Sequence, residues 1–473
     1  MPGFDDFRDG LEGEGYPRPP RKKSKPKTEA NGATGFSEDD LALIFADRHG
    51  DDHRYVAAWA KWLYWIGTHW DEEKTLKVYD LARKICREMK AQCDQKDLGK
   101  AKTVAAVETM ARSDRRIAAI SDQWDTKPLA LNTLRGTENL KTGELHPHVR
   151  EDYHTKITAV GRGNGGCPLW LAFLDRIFDH DQELIDYMQK VCGYCLTGDI
   201  REHAMFFCYG TGANGKGVFM STLAGILGDK YARNANIDTF TVTSFEQHPT
   251  SIARLRGARL VTCAEVEQGK RWAESKIKEM TGGGLMTAHF MRQDDFEFFP
   301  QFKLMIAGNH KPGLRAVDEA IRRRMHLIPF TVTIPEAERD QELAEKLKAE
   351  WPQILQWMID GCLRWQRDGL QKPPAVAAAT EAYLMAEDTI LSWIEERCDV
   401  GRQERAKFSE LFADWKLWAE ANNEFAGSAK AFADKLDKHG FEDPNPKNNT
   451  TKMRRGLSLQ PPEPTYNYAD RHG

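Results

Sequence analysis

The feature that most constrains this chain is a glycine-rich loop set between two regular elements. Phe206-Phe207-Cys208-Tyr209 is an apolar run of the length of a buried strand, and Val218 through Leu227 reads as a helix. Between them lies Gly210-Thr211-Gly212-Ala213-Asn214-Gly215-Lys216-Gly217. Glycines at this spacing let backbone N–H groups turn inward around phosphate oxygens. The helix N-terminus adds partial positive charge, and Lys216 reaches the outer phosphates. Gly210, Thr211, Gly212, Ala213, Asn214, Gly215, Lys216, Gly217 and Val218 therefore form the expected nucleotide cradle. Position 217 departs from the usual pattern: it is Gly where Ser or Thr normally offers a hydroxyl to magnesium, and Ser221 lies one turn too far along to replace it easily.

Three further strand-like runs follow. Arg259-Leu260-Val261-Thr262-Cys263 leads into Ala264-Glu265-Val266-Glu267, and alternation puts both carboxylates on one face, suited to magnesium and to activating a water. Two solvated acids after a strand are the bland alternative. Phe302 to Gly308 delivers Asn309, a polar side chain able to orient water against a terminal phosphate. Arg322-Arg323-Arg324 precedes the run Met325 to Phe330, and an arginine there can stabilise transition-state charge.

These residues, in this order, resemble the phage and plasmid primase-helicase family, related to the poxvirus primase-helicase, within the superfamily 3 helicases. The resemblance covers about Pro128 to Pro335. It rests on Asn139 to Leu145, the Gly210 to Gly217 loop, Glu265 with Glu267, Lys278-Glu279-Met280-Thr281-Gly282-Gly283, Ala307 to Pro312, and Asp318 to Arg324. It implies an α/β fold with an AAA+ P-loop ATPase core, a homo-hexamer with ATP sites between subunits, and loops that track DNA. Catalytic roles fall to Lys216, Glu265, Glu267, Asn309 and either Arg323 or Arg324 as a finger reaching a neighbour's site, with Arg322 structural. Glu265 and Glu267 would hold magnesium. Thr287 to Phe296 resembles the channel hairpin, which makes Arg292 a DNA contact together with Lys278. An ordinary solvated arginine is the competing reading, and the nearby Asp294-Asp295 pair weighs against a phosphate contact.

At 473 residues the chain exceeds one hydrophobic core. Residues 1–36 are expected to form a disordered basic tail, and 37–200 a mainly helical N-terminal domain with short strands. The ATPase core is expected over 201–335, a helical segment over 336–388 and a helical, winged-helix-like domain over 389–473. Net charge is −4, so a DNA-binding surface must be local. The aromatic run from Trp59 to Trp70 reads as core packing more readily than as a base-stacking platform. Nine cysteines fit reduced thiols, and Cys192-Gly193-Tyr194-Cys195 reads as buried thiols on a helix rather than a zinc site. No apolar stretch reaches the roughly 18 residues of a membrane span, and the N-terminus is unlike a secretory signal. The expected setting is the cytoplasm of a bacterial host, with the chain encoded by a phage or plasmid.

The leading expectation is an ATP- and Mg2+-dependent helicase on single-stranded and forked DNA. No primase carboxylate motif is visible, so primer synthesis is expected from a separate primase. The alternative is an initiator or loader whose ATP cycle switches assembly without processive unwinding. A small-molecule P-loop kinase leaves the arginine trio unexplained.

Overall fold

The structure, a computed structural model, describes residues 35–93, 95–243, 250–264, 269–289, 294–314, 317–422, 424, 426–444 and 452–461. All but the end of the expected basic tail lies outside them. The chain divides into two compact units, one made of Met1–Leu63 with Glu72–Ile120 and the other of Tyr64–Asp71 with Ser121–Gly473.

In the first unit, Ser37 and Asp40 form a reciprocal capping box that starts the helix Glu38–His49. That helix packs with Lys77–Gln92 and Ala101–Ala111 around Leu41, Phe45, Ile85, Val104 and Val107. Trp62 joins this core, and its indole N–H donates to the buried Glu108 carboxylate at 2.6 Å, which also takes two hydrogen bonds from Arg112. The aromatic run contributes Trp62 to packing here, as the sequence leads one to expect.

The second unit is built on a parallel sheet. Its strands are β1 (Met205–Tyr209), β2 (Ala232–Asn234), β3 (Leu260–Cys263), β4 (Lys303–Gly308) and β5 (Met325–Pro329), in the order β5-β1-β4-β3-β2. β1, β3 and β4 are almost wholly buried, which is why they read as continuous apolar runs rather than alternating ones. One face is covered by α1 (Gln182–Cys195), α2 (Lys216–Tyr231) and α5 (Trp351–Asp368) through Tyr187, Val191, Phe219, Leu223 and Leu355. The other face carries α3 (Glu274–Gly282), α4 (Glu319–Arg324) and α6 (Pro374–Ala386) through Ile277, Met280, Ile321 and Leu384. Register sets Tyr209 level with Gly308 and with Pro329, and Cys263 level with Ile306, so the strands end along one edge.

The boundary between units lies near residue 120, not at the expected 200. The reason is α1, which crosses α5 so closely that a β-carbon at Gly193 would sit 2.0 Å from the Cys362 nitrogen, and one at Gly361 would sit 2.1 Å from the Gln189 carbonyl oxygen. Cys192 and Cys195 are buried free thiols on this helix, as expected. Behind α1 the chain leaves carbonyls that two buried cations satisfy. Arg259 donates to the carbonyls of Leu196, Lys127 and Ala130, and Lys303 to those of Thr197 and Asp199.

The C-terminal part follows the order helix (Thr389–Arg397), strand (Cys398–Lys407), helix (Phe408–Ala421), helix (Ala429–Lys438), strand (Met453–Leu459), with the two strands antiparallel. Trp393, Trp415, Phe432 and Leu457 form its core. The expectation of a helical, winged-helix-like domain over 389–473 gave no sign of the strand Cys398–Lys407, whose residues are mostly polar and exposed.

Ala130–Thr133, Gly136–Asn139 and Glu144–His146 make an antiparallel sheet whose second turn holds Thr142-Gly143. Its middle strand buries Glu138 completely. Among the described residues neither carboxylate oxygen has a hydrogen-bond partner, and the Arg162 Nε lies 3.4 Å away. Burial pushes this carboxyl up to about 7. A folded-state value above the unfolded one means the native state binds more protons between pH 4.5 and 7, so this group favours folding as pH falls through that window. Glu138→Gln is therefore expected to raise the melting temperature more at pH 8 than at pH 5. A variant-minus-wild-type difference that is flat with pH would contradict it.

Candidate nucleotide site

β1 ends at Tyr209 and α2 begins at Lys216, so the loop occupies the sheet edge where the parallel strands terminate. Gly210 is forced by a close approach: a β-carbon there would lie 2.0 Å from the Phe330 carbonyl oxygen. Asn214 Nδ2 donates to that same oxygen at 2.9 Å, and the Ile334 N–H donates to the Ala213 carbonyl at 2.9 Å. Gly212, Ala213 and Gly215 all have positive φ, which curls the backbone, and Ala213 holds this conformation against its side chain.

Lys216 is buried beneath the loop. Its Nζ donates to the Gly210 carbonyl at 2.8 Å, to Asn214 Oδ1 at 3.0 Å and to Asn309 Oδ1 at 3.3 Å. Burial lowers its pKa, and each of these acceptors is a neutral oxygen. Asn309 stands one residue past β4, so the structure brings together two residues that lie 93 apart in sequence. Gly217 is exposed, and a β-carbon there would meet nothing within 4 Å. The Ser221 hydroxyl is spent on the Val218 carbonyl at 3.1 Å.

Glu265 and Glu267 lie outside the described residues. Ala264, the last described residue before them, follows β3 at the edge where Asn309 leaves β4. Arg292 also lies outside. The flanking hairpin pairs Met286–Ala288 with Phe296–Phe298, and His289 Nδ1 meets Asp295 Oδ1 at 2.8 Å. Lys278 on α3 is ion-paired to Asp318 at 2.5 Å, and the other oxygen of Asp318 caps α4 by accepting from the Ile321 N–H at 2.8 Å.

The three arginines at the end of α4 differ. Arg322 pairs with Glu381, and Arg324 is buried, donating to Thr281 Oγ1 at 3.0 Å and to the Ala320 carbonyl at 2.9 Å. Arg323 is exposed, and its side chain makes no hydrogen bond or ion pair among the described residues. Sequence reasoning did not single out Lys311, whose Nζ lies 4.2 Å from the Tyr209 ring centroid beside the site. The available signal was its place two residues after Asn309.

Gly210→Ala should destabilise the fold by about 1–3 kcal/mol, because the new methyl meets backbone that cannot yield. Gly217→Ala, in open space at the start of a helix, should be neutral or stabilising by about 0.5–1 kcal/mol. Denaturant midpoints would reveal an error if the two variants behaved alike.

Two family models match the chain, D5 N terminal like over residues 42–179 and a family of unknown function, DUF5906, over 208–324. A mimivirus protein of Acanthamoeba polyphaga named "Putative helicase" is 25% identical over 272 residues, covering 53% of this chain and 28% of its own length. A like-named protein of Frog virus 3 is 24% identical over 334 residues, covering 65% and 32%. An African swine fever virus protein named "Putative primase" is 25% identical over 334 residues, covering 63% and 34%. The chain thus spans about a third or less of these relatives, all from viruses of eukaryotes, whereas the sequence alone pointed to a bacterial host. The apo structure of the NrS-1 C-terminal region shares the fold, with a TM-score of 0.51 at 12% identity over 80% of this chain and 81% of that one. With the glycine loop, Asn309 and the α4 arginines set on one parallel sheet, the chain is similar to the phage and viral primase-helicase family.

Proposed function

We propose that this chain is an ATP-dependent DNA helicase of the superfamily 3 type, with an AAA+ core, working as a ring in DNA replication. The observation that carries the reading is the meeting of Lys216 and Asn309 at the sheet edge, beneath a glycine loop whose backbone is already curled. The strand order, with β1 between β5 and β4, supports an AAA+ core, since it sets the loop next to the strand that delivers Asn309. The residues present fit a polyphosphate. A buried ammonium whose hydrogen-bond acceptors among the described residues are all neutral oxygens suits an anion, and the loop and α2 N-terminus face the same edge.

In this reading Lys216 exchanges its carbonyl and amide partners for the outer phosphates of ATP, and Asn309, released from Lys216, orients the attacking water. Magnesium would neutralise phosphate charge when bound. With no hydroxyl at Gly217, its protein ligands would be the carboxylates of Glu265 and Glu267. The exposed Arg323 is the finger that reaches a neighbouring subunit's site, because Arg322 and Arg324 are already bonded within their own chain. The order helix, strand, helix, helix, strand at the C-terminus supports a winged-helix module.

Lys216→Ala should abolish ATP turnover with the fold intact, and unchanged turnover would remove the site from this loop. Arg323→Ala should lower turnover by roughly 10³ or more while leaving stability unchanged. Mixing it with Lys216→Ala protein should restore activity above either parent, since an intact arginine of one chain then faces an intact loop of the other. Failure to recover activity in demonstrated mixed assemblies would refute the trans-acting arginine. Strand release from a labelled fork distinguishes a motor from an ATP-switched loader.

A further inference from the structure

The N-terminal unit concentrates positive charge in a chain that is net negative. Residues 74–102 hold nine Lys and Arg against four Asp and Glu, whereas the whole chain carries −4. All nine cations are exposed: Lys74, Lys77, Arg83, Lys84, Arg87, Lys90, Lys96, Lys100 and Lys102. The helix Lys77–Gln92 turns Val78, Ala82, Ile85, Cys86 and Met89 into the core, which leaves Lys77, Arg83, Lys84, Arg87 and Lys90 on the remaining faces. The segment that follows lies back against this helix. Lys90 Nζ sits beside Gly99, within 3.3 Å of where a β-carbon would be, and the Tyr79 hydroxyl donates to the Ala101 carbonyl at 3.2 Å. Lys96, Lys100 and Lys102 therefore extend the same basic surface rather than forming a second one.

Among the described residues, the acids on this surface are consumed locally. Asp80 lies 3.4 Å from Arg83 and 3.0 Å from Lys84, and Asp97 lies 2.6 Å from Lys100. Glu88 is drawn to the edge by Arg48 at 2.5 Å. Arg87, Lys90, Lys96 and Lys102 have no carboxylate partner among the described residues. Exposed like charges within a Debye length of each other repel, so a surface of this kind is relieved by a polyanion. No aromatic ring of this helix is exposed on it: Tyr79, its only aromatic residue, is half-buried and bonded to Ala101. The surface suits phosphate contacts rather than base stacking.

We propose that the exposed basic face of helix Lys77–Gln92, continued by Lys96, Lys100 and Lys102, is a sequence-independent binding site for the phosphodiester backbone of DNA. It rests on the reading of this chain as a DNA-acting protein but not on its ATP site. The contact is electrostatic, so it is strong at low salt and is lost as counterions compete.

The test uses the full chain and fluorescence anisotropy with an oligothymidine and, separately, a duplex, each titrated with salt. Lys84→Glu/Arg87→Glu/Lys90→Glu and its Gln counterpart change only exposed side chains, and a melting curve checks that each folds. Both variants are expected to bind more weakly, the Glu set more than tenfold, and the salt slope on single strands should fall by about 2 at three contacts of about 0.7 each. The oligothymidine and duplex arms show which form of DNA the surface takes. DNA-free ATP turnover should match wild type. Unchanged affinity and slope on both DNAs in folded variants would overturn the proposal, as would variants that lose binding to phosphatidylserine vesicles while keeping DNA. Wild-type protein that hydrolyses no ATP but loses DNA binding on charge reversal would instead count against the helicase reading and leave this site standing.

Discussion

The close approach of Gly210 to the Phe330 carbonyl is the constraint on which the candidate nucleotide site depends. It lets the end of β1 run against the end of β5 with no side chain between them, and Asn214 uses the same oxygen to hold the loop down. With the loop pinned there, Lys216 extends under it toward β4, where Asn309 meets it. A single backbone contact thereby converts a sheet edge into a cradle. The positive φ at Ala213 is the strain that accompanies it, of the kind that persists where the surroundings over-determine the backbone.

Buried charge holds the opposite side of the sheet together. Arg259 and Lys303 stand at the starts of β3 and β4 and gather carbonyls from the segment after α1 and from Ala130. Arg259 lies 4.7 Å from the Tyr231 ring centroid and Lys303 lies 4.6 Å from that of Tyr194, so each cation has a π face as well as oxygens. Burial brings Lys303 down to about 7. Burial acts on Glu138 in the same sense, favouring its neutral form and so pushing its carboxyl up.

A chain of short polar contacts runs outward from the site. Asp318 caps α4 and pairs with Lys278, so the helix bearing the arginines and the helix α3 share one carboxylate. Beyond Asn309 the backbone is held by α6: Tyr383 donates to the Pro312 carbonyl, and Glu387 accepts from the Leu314 N–H at 2.8 Å. The next residue, Asp388, caps the first helix of the C-terminal part and meets His439 at 3.0 Å. Adjacent acids thus fasten the loop after Asn309 and the C-terminal helices to one point of the chain.

What sequence alone determined was local. Apolar runs marked β1, β3, β4 and β5, and the glycine spacing marked the loop, because each signal depends on neighbours in the chain. Tertiary structure decided what depends on partners distant in sequence. The unit boundary moved to residue 120 because Gly193 and Gly361 notch α1 and α5 together, 168 residues apart. The strand Cys398–Lys407 forms on polar residues because Met453–Leu459 supplies its hydrogen bonds. Three consecutive arginines look equivalent in sequence. Only packing separates them, since a helix turns each by about 100°, sending Arg324 inward to Thr281, Arg322 to Glu381, and Arg323 outward into solvent.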